Sequence, residues 1–229
     1  MNFISFGLTN VDAVGVVMVA VFVRQCGNGG AAMKSGNHAS QKGGGGGAAP
    51  PSVSTEADAI AAVRKIEKRL GDDGIFLSSY TGDRFLSLNE AARNNKLTNE
   101  DRREIEKVSK ALDKLPNWSG SVYRGVTPNR LGDIDGIMGQ FKPGSAVSFP
   151  GFTSSSTKQS VGRNYAGFNG IGGVTIGIKS KSGKVVFPIS RNPQEREVIF
   201  KPNSRFRVER VETGLKSGIM SGLVVLTEI

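Results

Sequence analysis

Cysteine and histidine are nearly missing from this chain of 229 residues, which holds one of each, Cys26 and His38. A lone cysteine makes no internal disulfide and no cysteine-based metal site. A Ser-His-Asp or Cys-His arrangement would have to draw its base from a Gly/Ser-rich leader, which excludes that chemistry. Zinc catalysis is excluded on the same ground. Aromatic residues are sparse at 7%. No clustered Lys/Arg run alternates with them in the predicted strands, so nucleic acid is not an expected partner. The apolar run at residues 14–23 falls short of the ~20 residues a membrane-spanning helix needs, and no transmembrane span is expected. No Gly-x-Gly-x-x-Gly fingerprint occurs, which disfavours a Rossmann fold. What remains for chemistry is carboxylates, hydroxyls and arginines.

Positive charge is in excess, +10 overall. Residues 1–50 carry Arg24, Lys34 and Lys42 against Asp12, a net of +2, so +8 lies in the remainder. That balance suits an anionic ligand, an acidic protein or simply a solvated surface, and it is silent on fold. Residues 1–54 read as a flexible leader and linker, with glycine at 43–47 and Pro50-Pro51. The run at 14–23 resembles the apolar core of a secretion signal, with Cys26 as a lipid-modified residue ahead of a glycine-rich tether. Against this, no basic residue precedes the run and Arg24-Gln25 approaches a cleavage site poorly. The alternative is a leader without any targeting role.

Order is expected from Thr55, giving one domain over 55–229. Thr55 with Asp58 makes a helix N-cap, Ile60, Val63, Ile66 and Leu70 follow at helical spacing, and Gly71 stops the pattern. A second helix is predicted over 85–94. A third starts at Thr98, buries Ile105, Val108, Leu112 and Leu115, and ends at Pro116. From there the pattern turns to short strands at 121–126, 146–149, 174–178, 185–187, 195–200, 205–211 and 223–229, separated by turn residues. Helices first and strands afterwards predict an α+β fold, with helices packed on a mostly antiparallel sheet.

Three places stand out chemically. In Val122-Tyr123-Arg124-Gly125 an arginine sits on a strand with glycine behind it. An inward guanidinium requires an anionic partner, a diphosphate or an internal carboxylate, and glycine lets a ligand approach the backbone. The segment Gly151-Phe152-Thr153-Ser154-Ser155-Ser156-Thr157 offers hydroxyls for a sugar or a catalytic carboxylate, or simply for a turn. In Gln194-Glu195-Arg196-Glu197, strand alternation predicts both glutamates on one side, about 7 Å apart. Like charges so placed repel, which acid/base or cation-stabilising chemistry can use. An exposed charged strand edge would look the same.

The order of the three is more telling than any one of them. Arg-Gly on a first strand, Phe-x-Ser-x-Ser at a strand end and Glu-x-Glu entering another strand resemble the Arg–Ser–Glu class of mono-ADP-ribosyltransferases, found among bacterial exotoxins, secreted effectors and phage enzymes. Tyr80-Thr81-Gly82 followed by Leu88-Asn89 is similar to a further signature of that class, as is the run from Glu197 to Val208. The likeness extends from about residue 56 to the C-terminus.

The resemblance implies a split β-sandwich with an NAD cleft, NAD as a substrate, no metal, and transfer of ADP-ribose to an arginine of a target protein. In it Arg124 grips the NAD phosphates and the Gly125 backbone meets the nucleotide. Ser154 orients Glu197, which binds the nicotinamide ribose and faces the cation left as nicotinamide departs. Glu195 positions or deprotonates the acceptor, and Tyr165, eleven residues after Ser154, packs on nicotinamide. Where the class has threonine, this chain has Ser155, so a packing methyl is absent. The class further implies a monomeric enzyme, secreted or delivered into a target cell. An NAD glycohydrolase using water as acceptor would carry the same residues.

Overall fold

Helices lead and strands follow in the computed structural model, which describes residues 50–128, 134–167, 172–216 and 219–229. The apolar run at 14–23, Cys26 and His38 lie outside the described residues. Among the described residues no helix is long and apolar enough to cross a membrane.

A two-residue strand β1 (Ser52–Val53) precedes the helices and pairs in parallel with β2 (Asn117–Val126). Regular structure thus begins three residues ahead of Thr55, because Val53 is buried in the sandwich core beside Trp118. Helix α1 (Glu56–Leu70) is capped by Thr55, whose hydroxyl accepts from the Asp58 amide. Helix α4 (Asn99–Asp113) opens with a reciprocal capping box between Thr98 and Asp101. Between them lie α2 (Asp72–Ser79), one π-helical turn (Tyr80–Arg84) and α3 (Phe85–Arg93). Leu77, Tyr80, Leu88, Val108 and Leu112 of this lobe share a core with Phe152 and Ile199 from the strands.

The remaining elements are α5 (Ile134–Met138), β3 (Ala146–Ser148), β4 (Thr153–Ser156), α6 (Gln159–Asn164), β5 (Val174–Val185), β6 (Glu197–Phe200), β7 (Arg205–Lys216) and β8 (Ile219–Glu228). Strand β5 pairs with β2 from Val174 to Lys184, with β8 over its first half and with β6 at Lys184 and Val185. Strand β4 in turn bridges β6 and β2. Two layers therefore share β2 and β5, giving the mostly antiparallel sheet that the residue pattern predicts and the split sandwich that the resemblance implies. Among the described residues only β1/β2 and β5/β8 pair in parallel.

Alternation along β6 decides what faces the site. Val198 and Phe200 enter the sandwich core, whereas Ile199 enters the helical-lobe core. Glu197 shares its face with Ile199 and so points toward the helices.

Candidate active site

Arg124 stands near the end of β2 with 8% of its surface exposed. Its Nη1 donates to the Ser154 carbonyl at 2.8 Å, so the guanidinium also fixes the start of β4. It opens on a cleft lined by Phe149, Pro150, Gly151, Phe152, Thr153 and a second arginine, Arg93 of α3. Burial, and then the charge of Arg93, pull the proton affinity of Arg124 down to about 9. Arg93 is lowered as well, chiefly by burial. An anion in the cleft would relieve the crowding of the two guanidiniums. The sequence reading missed Arg93. Its signal was the i, i+4 spacing from Asn89, which places both on one helical face.

Asn89 explains the Tyr80…Asn89 signature. Its amide nitrogen donates to the Tyr80 hydroxyl at 3.1 Å, and its amide oxygen accepts from the Phe152 amide at 2.8 Å. The Tyr80 and Phe152 rings stack at a tilt, 4.9 Å between centroids. One buried side chain thus ties the helical lobe to the strand that carries the serines.

The β4–β6 register then places the carboxylate. Ser154 pairs with Ile199, Ser155 with Val198 and Ser156 with Glu197. Ser154 and Ser156 therefore share the face of Glu197, with Ser156 directly opposite and Ser154 on the diagonal. Glu197 is only 6% exposed. Ser155 projects away and donates to the Val198 carbonyl at 2.9 Å. The polar row Thr153–Ser156 is buried throughout, as befits a site and not an exposed turn.

Glu195 departs from the strand alternation expected of it. Strand β6 starts at Glu197, and Glu195 closes a 3-10 turn (Pro193–Glu195) begun by proline. Arg196 between them adopts the left-handed conformation, φ 52° and ψ 47°. Two glutamates on either side of such a corner do not obey strand spacing. The physical reason is local: Pro193 favours a turn, and the Glu195 carbonyl accepts from Ser156 Oγ at 2.7 Å instead of from a neighbouring strand. Arg196 Nε forms an ion pair with Glu56 Oε2 at 3.0 Å, and Thr157 Oγ1 donates to Glu56 Oε1 at 2.9 Å. The corner is latched to the first turn of α1.

Tyr165, the residue after α6, donates its hydroxyl to Glu195 Oε1 at 2.8 Å. Its carbonyl accepts from Thr127 Oγ1 at 2.7 Å. Helix α6 reaches this place because it lies on β2 with glycine on both sides of the contact. A methyl at Gly125 would overlap the backbone of Gly162, Tyr165 and Ala166, and one at Gly162 would come within 2.8 Å of Tyr123 Cβ. The Gly125 side position thus serves helix packing. Arg124 and Ser154 are brought into contact, Ser154 and Glu197 share a face, and Tyr165 meets Glu195.

The sequence profile described as NAD:arginine ADP-ribosyltransferase matches residues 64–220. A putative NAD(+)–arginine ADP-ribosyltransferase, Mav, from Mycobacterium avium is 34% identical over 137 residues, 60% of this chain and 16% of that protein. The NAD(+)–protein-arginine ADP-ribosyltransferase Tre1 of Serratia proteamaculans is 34% identical over 147 residues, 62% of this chain and 30% of its own length. The chain thus spans less than a third of either relative. In three dimensions it is similar to exoenzyme S of Pseudomonas aeruginosa, solved bound to Carba-NAD, with TM-score 0.56 and 21% identity over 76% of this chain and 82% of that one. It is also similar to the ADP-ribosyltransferase Vis in complex with agmatine, with TM-score 0.55 and 19% identity over 77% and 87% of the two chains. With the profile covering more than half of its length, the chain belongs to the NAD:arginine ADP-ribosyltransferase family.

Proposed function

We propose that this chain is a mono-ADP-ribosyltransferase that cleaves NAD and transfers ADP-ribose to an arginine of a target protein. The observation that carries this reading is the arrangement around β4. The buried guanidinium of Arg124 and the half-buried one of Arg93 flank its start, and the Glu197 carboxylate lies across from its end, on the face of Ser154. A diphosphate fits the arginine pair, since guanidinium matches phosphate oxygens in pairs and two neighbouring cations favour a dianion. Arg124 and Arg93 would hold NAD by that group, with its nicotinamide end toward Glu197. Glu197 then faces the positive charge that develops on the ribose as the bond to nicotinamide breaks. Such preorganised charge in a dry site is among the larger catalytic effects. Ser154 would orient that carboxylate. Glu195, on its turn beside the site, would receive the acceptor guanidinium.

The named relatives support arginine as acceptor, and similarity to the Vis toxin and to a type III effector supports a role in a target cell. The decisive experiment is incubation with labelled NAD and agmatine, followed by measurement of nicotinamide release and of labelled agmatine. Both signals are expected. Nicotinamide release without label on agmatine or on any lysate protein would point instead to a glycohydrolase, and no release at all would end the reading.

A further inference from the structure

We infer that Tyr165 is a positioning residue for the acceptor step, holding the Glu195 carboxylate ready for an incoming guanidinium. The inference rests on the proposed arginine transfer. A glutamate on a turn has three side-chain torsions to fix before it can receive a substrate, and fixing them in advance favours binding. Here the carboxylate is fixed by one phenol, the Tyr165 hydroxyl donating to Oε1 at 2.8 Å. Oε2 and a second lone pair on Oε1 are left by that bond to meet a guanidinium fork.

The phenol is itself rigidly placed. Helix α6 sits against β2 only because Gly125 and Gly162 lack side chains, and Thr127 holds the Tyr165 carbonyl at 2.7 Å. The opposite side of the turn is pinned by Ser156, which donates to the Glu195 carbonyl at 2.7 Å. Backbone and carboxylate of the same residue are therefore anchored by different elements, β4 and the end of α6.

In the transfer step the bond between ribose and nicotinamide breaks, with its electron pair leaving on the ring nitrogen. A guanidinium nitrogen bonds the freed ribose carbon, and the proton it sheds passes to the Glu195 carboxylate. A carboxylate turned away from this nitrogen could neither orient it nor take that proton. The role assigned to the Tyr165 hydroxyl lies wholly on this acceptor side, distinct from any contact of its ring with NAD.

The test compares Tyr165→Phe with the unaltered full chain, measuring agmatine labelling and nicotinamide release side by side. Loss of one hydrogen bond to a charged group should lower the ratio of labelling to release roughly tenfold, mainly through a higher KM for agmatine. A general loosening of the fold would lower both together and leave the ratio unchanged, and that result would overturn the inference. The same substitution is then made in Glu195→Asp, whose carboxylate is one methylene short of the hydroxyl. There it should change the ratio by less than about twofold, because the two residues act as one unit. Equal losses in both backgrounds would show that Tyr165 acts without Glu195 and would equally overturn it. Glu195→Gln serves as the separate check. If it labelled agmatine at the unaltered rate, the acceptor role of Glu195 in the proposed function would fail, whereas a loss there with an unchanged Tyr165→Phe ratio would sink only the Tyr165 role.

Discussion

The two ends of the cleft are built in different ways. Arg124 and Arg93 stand on a ten-residue strand and a nine-residue helix, both packed into cores. Glu195 stands on a 3-10 turn of three residues, followed by an arginine in the left-handed conformation. The first end is fixed by hydrogen-bond ladders and apolar burial; the second is held by side chains of Tyr165, Ser156 and Glu56. On the proposed function, the residues that would grip NAD are thus inseparable from the fold, while those that would receive the acceptor can be altered one by one.

The comparison is broken most severely at Gly125, where the two ends meet. A methyl there strikes backbone atoms of Gly162, Tyr165 and Ala166, which cannot swing aside as a side chain can. Gly125→Ala is expected to destabilise by about 3 kcal/mol, the upper range of overpacking costs. That corresponds to a fall in Tm of roughly 6–12 °C for a domain of this size. Thermal unfolding followed by circular dichroism measures it. An unchanged Tm would mean that α6 is not seated on β2 as described.

Next in size come the glutamates, which test the two ends against each other. Glu197→Gln removes the charge facing the developing cation while keeping shape. Nicotinamide release and agmatine labelling should both fall by about 10²-fold or more. Glu195→Gln should remove labelling and leave release largely in place, since departure of nicotinamide does not require the acceptor. Equal loss of release in both variants would erase the division of labour.

How much of this was legible in the sequence depended on whether local pattern and tertiary role agreed. Helices α1 and α4 could be read because Thr55 and Thr98 cap them and apolar residues recur at helical spacing. Helix α2 escaped because Ile75, Phe76 and Leu77 run consecutively, and only Leu77 is buried. Its helicity is imposed by packing. Strand β5 was read as two pieces because residues 179–184 are mostly polar. The chain stays extended there because β2 goes on pairing with it at Lys179, Ser180, Gly183 and Lys184, helped by side-chain bonds: Ser180 Oγ donates to the Trp118 carbonyl at 2.8 Å, and Glu228 accepts from the Lys181 and Ser182 amides at 2.6 and 2.9 Å. At the site, Arg124, Ser154 and Glu197 stand out in the sequence through the order of their three motifs, which resembles the Arg–Ser–Glu class, each motif being ambiguous alone. Glu195 was picked out but placed on a strand, since two-residue spacing was weighed above the Asn192-Pro193 turn signal. Arg93 has the local setting of any basic residue at a helix C-terminus. Only the fold brings it to Arg124.

The arginine end should respond to geometry and to pH. Arg124→Lys keeps a charge but loses the planar fork and the bond to the Ser154 carbonyl. NAD affinity should fall about tenfold, the effect of one lost charge-assisted bond. With its proton affinity lowered to about 9, chiefly by burial, Arg124 is charged below that pH and loses charge above it. A diphosphate favours the charged form. NAD affinity should accordingly be level from about pH 7 to 8 and weaken as pH rises through about 9, the sign set by Arg124 being the cation. Calorimetric titration across that range checks both points. Strengthening of affinity at alkaline pH would remove Arg124 from the phosphate contact.

The smallest expected effect lies at Glu56, and it asks whether the acceptor end can be loosened without touching the arginine end. Glu56 joins Arg196 and Thr157 to α1, one carboxylate oxygen to each. Both partners of the ion pair are about a third exposed, at 28% and 35%, so the pair contributes only ~0.5–1 kcal/mol. Glu56→Gln keeps an acceptor for the Thr157 hydroxyl and removes the charge facing Arg196. A drop in Tm of roughly 1–4 °C should accompany it. Arg196 occupies a left-handed conformation that costs a non-glycine residue ~1–2 kcal/mol, so release of its side chain frees the corner to relax and carries Glu195 with it. Agmatine labelling should fall severalfold, while the Kd for NAD, set at Arg124 and Arg93, stays level. Arg196→Gly separates the two causes, because glycine accepts the left-handed conformation without the ion pair. If labelling falls in Glu56→Gln and is retained in Arg196→Gly, backbone conformation is what the latch preserves. If both variants weaken NAD binding as much as labelling, the two ends of the cleft are coupled and the contrast between them does not hold.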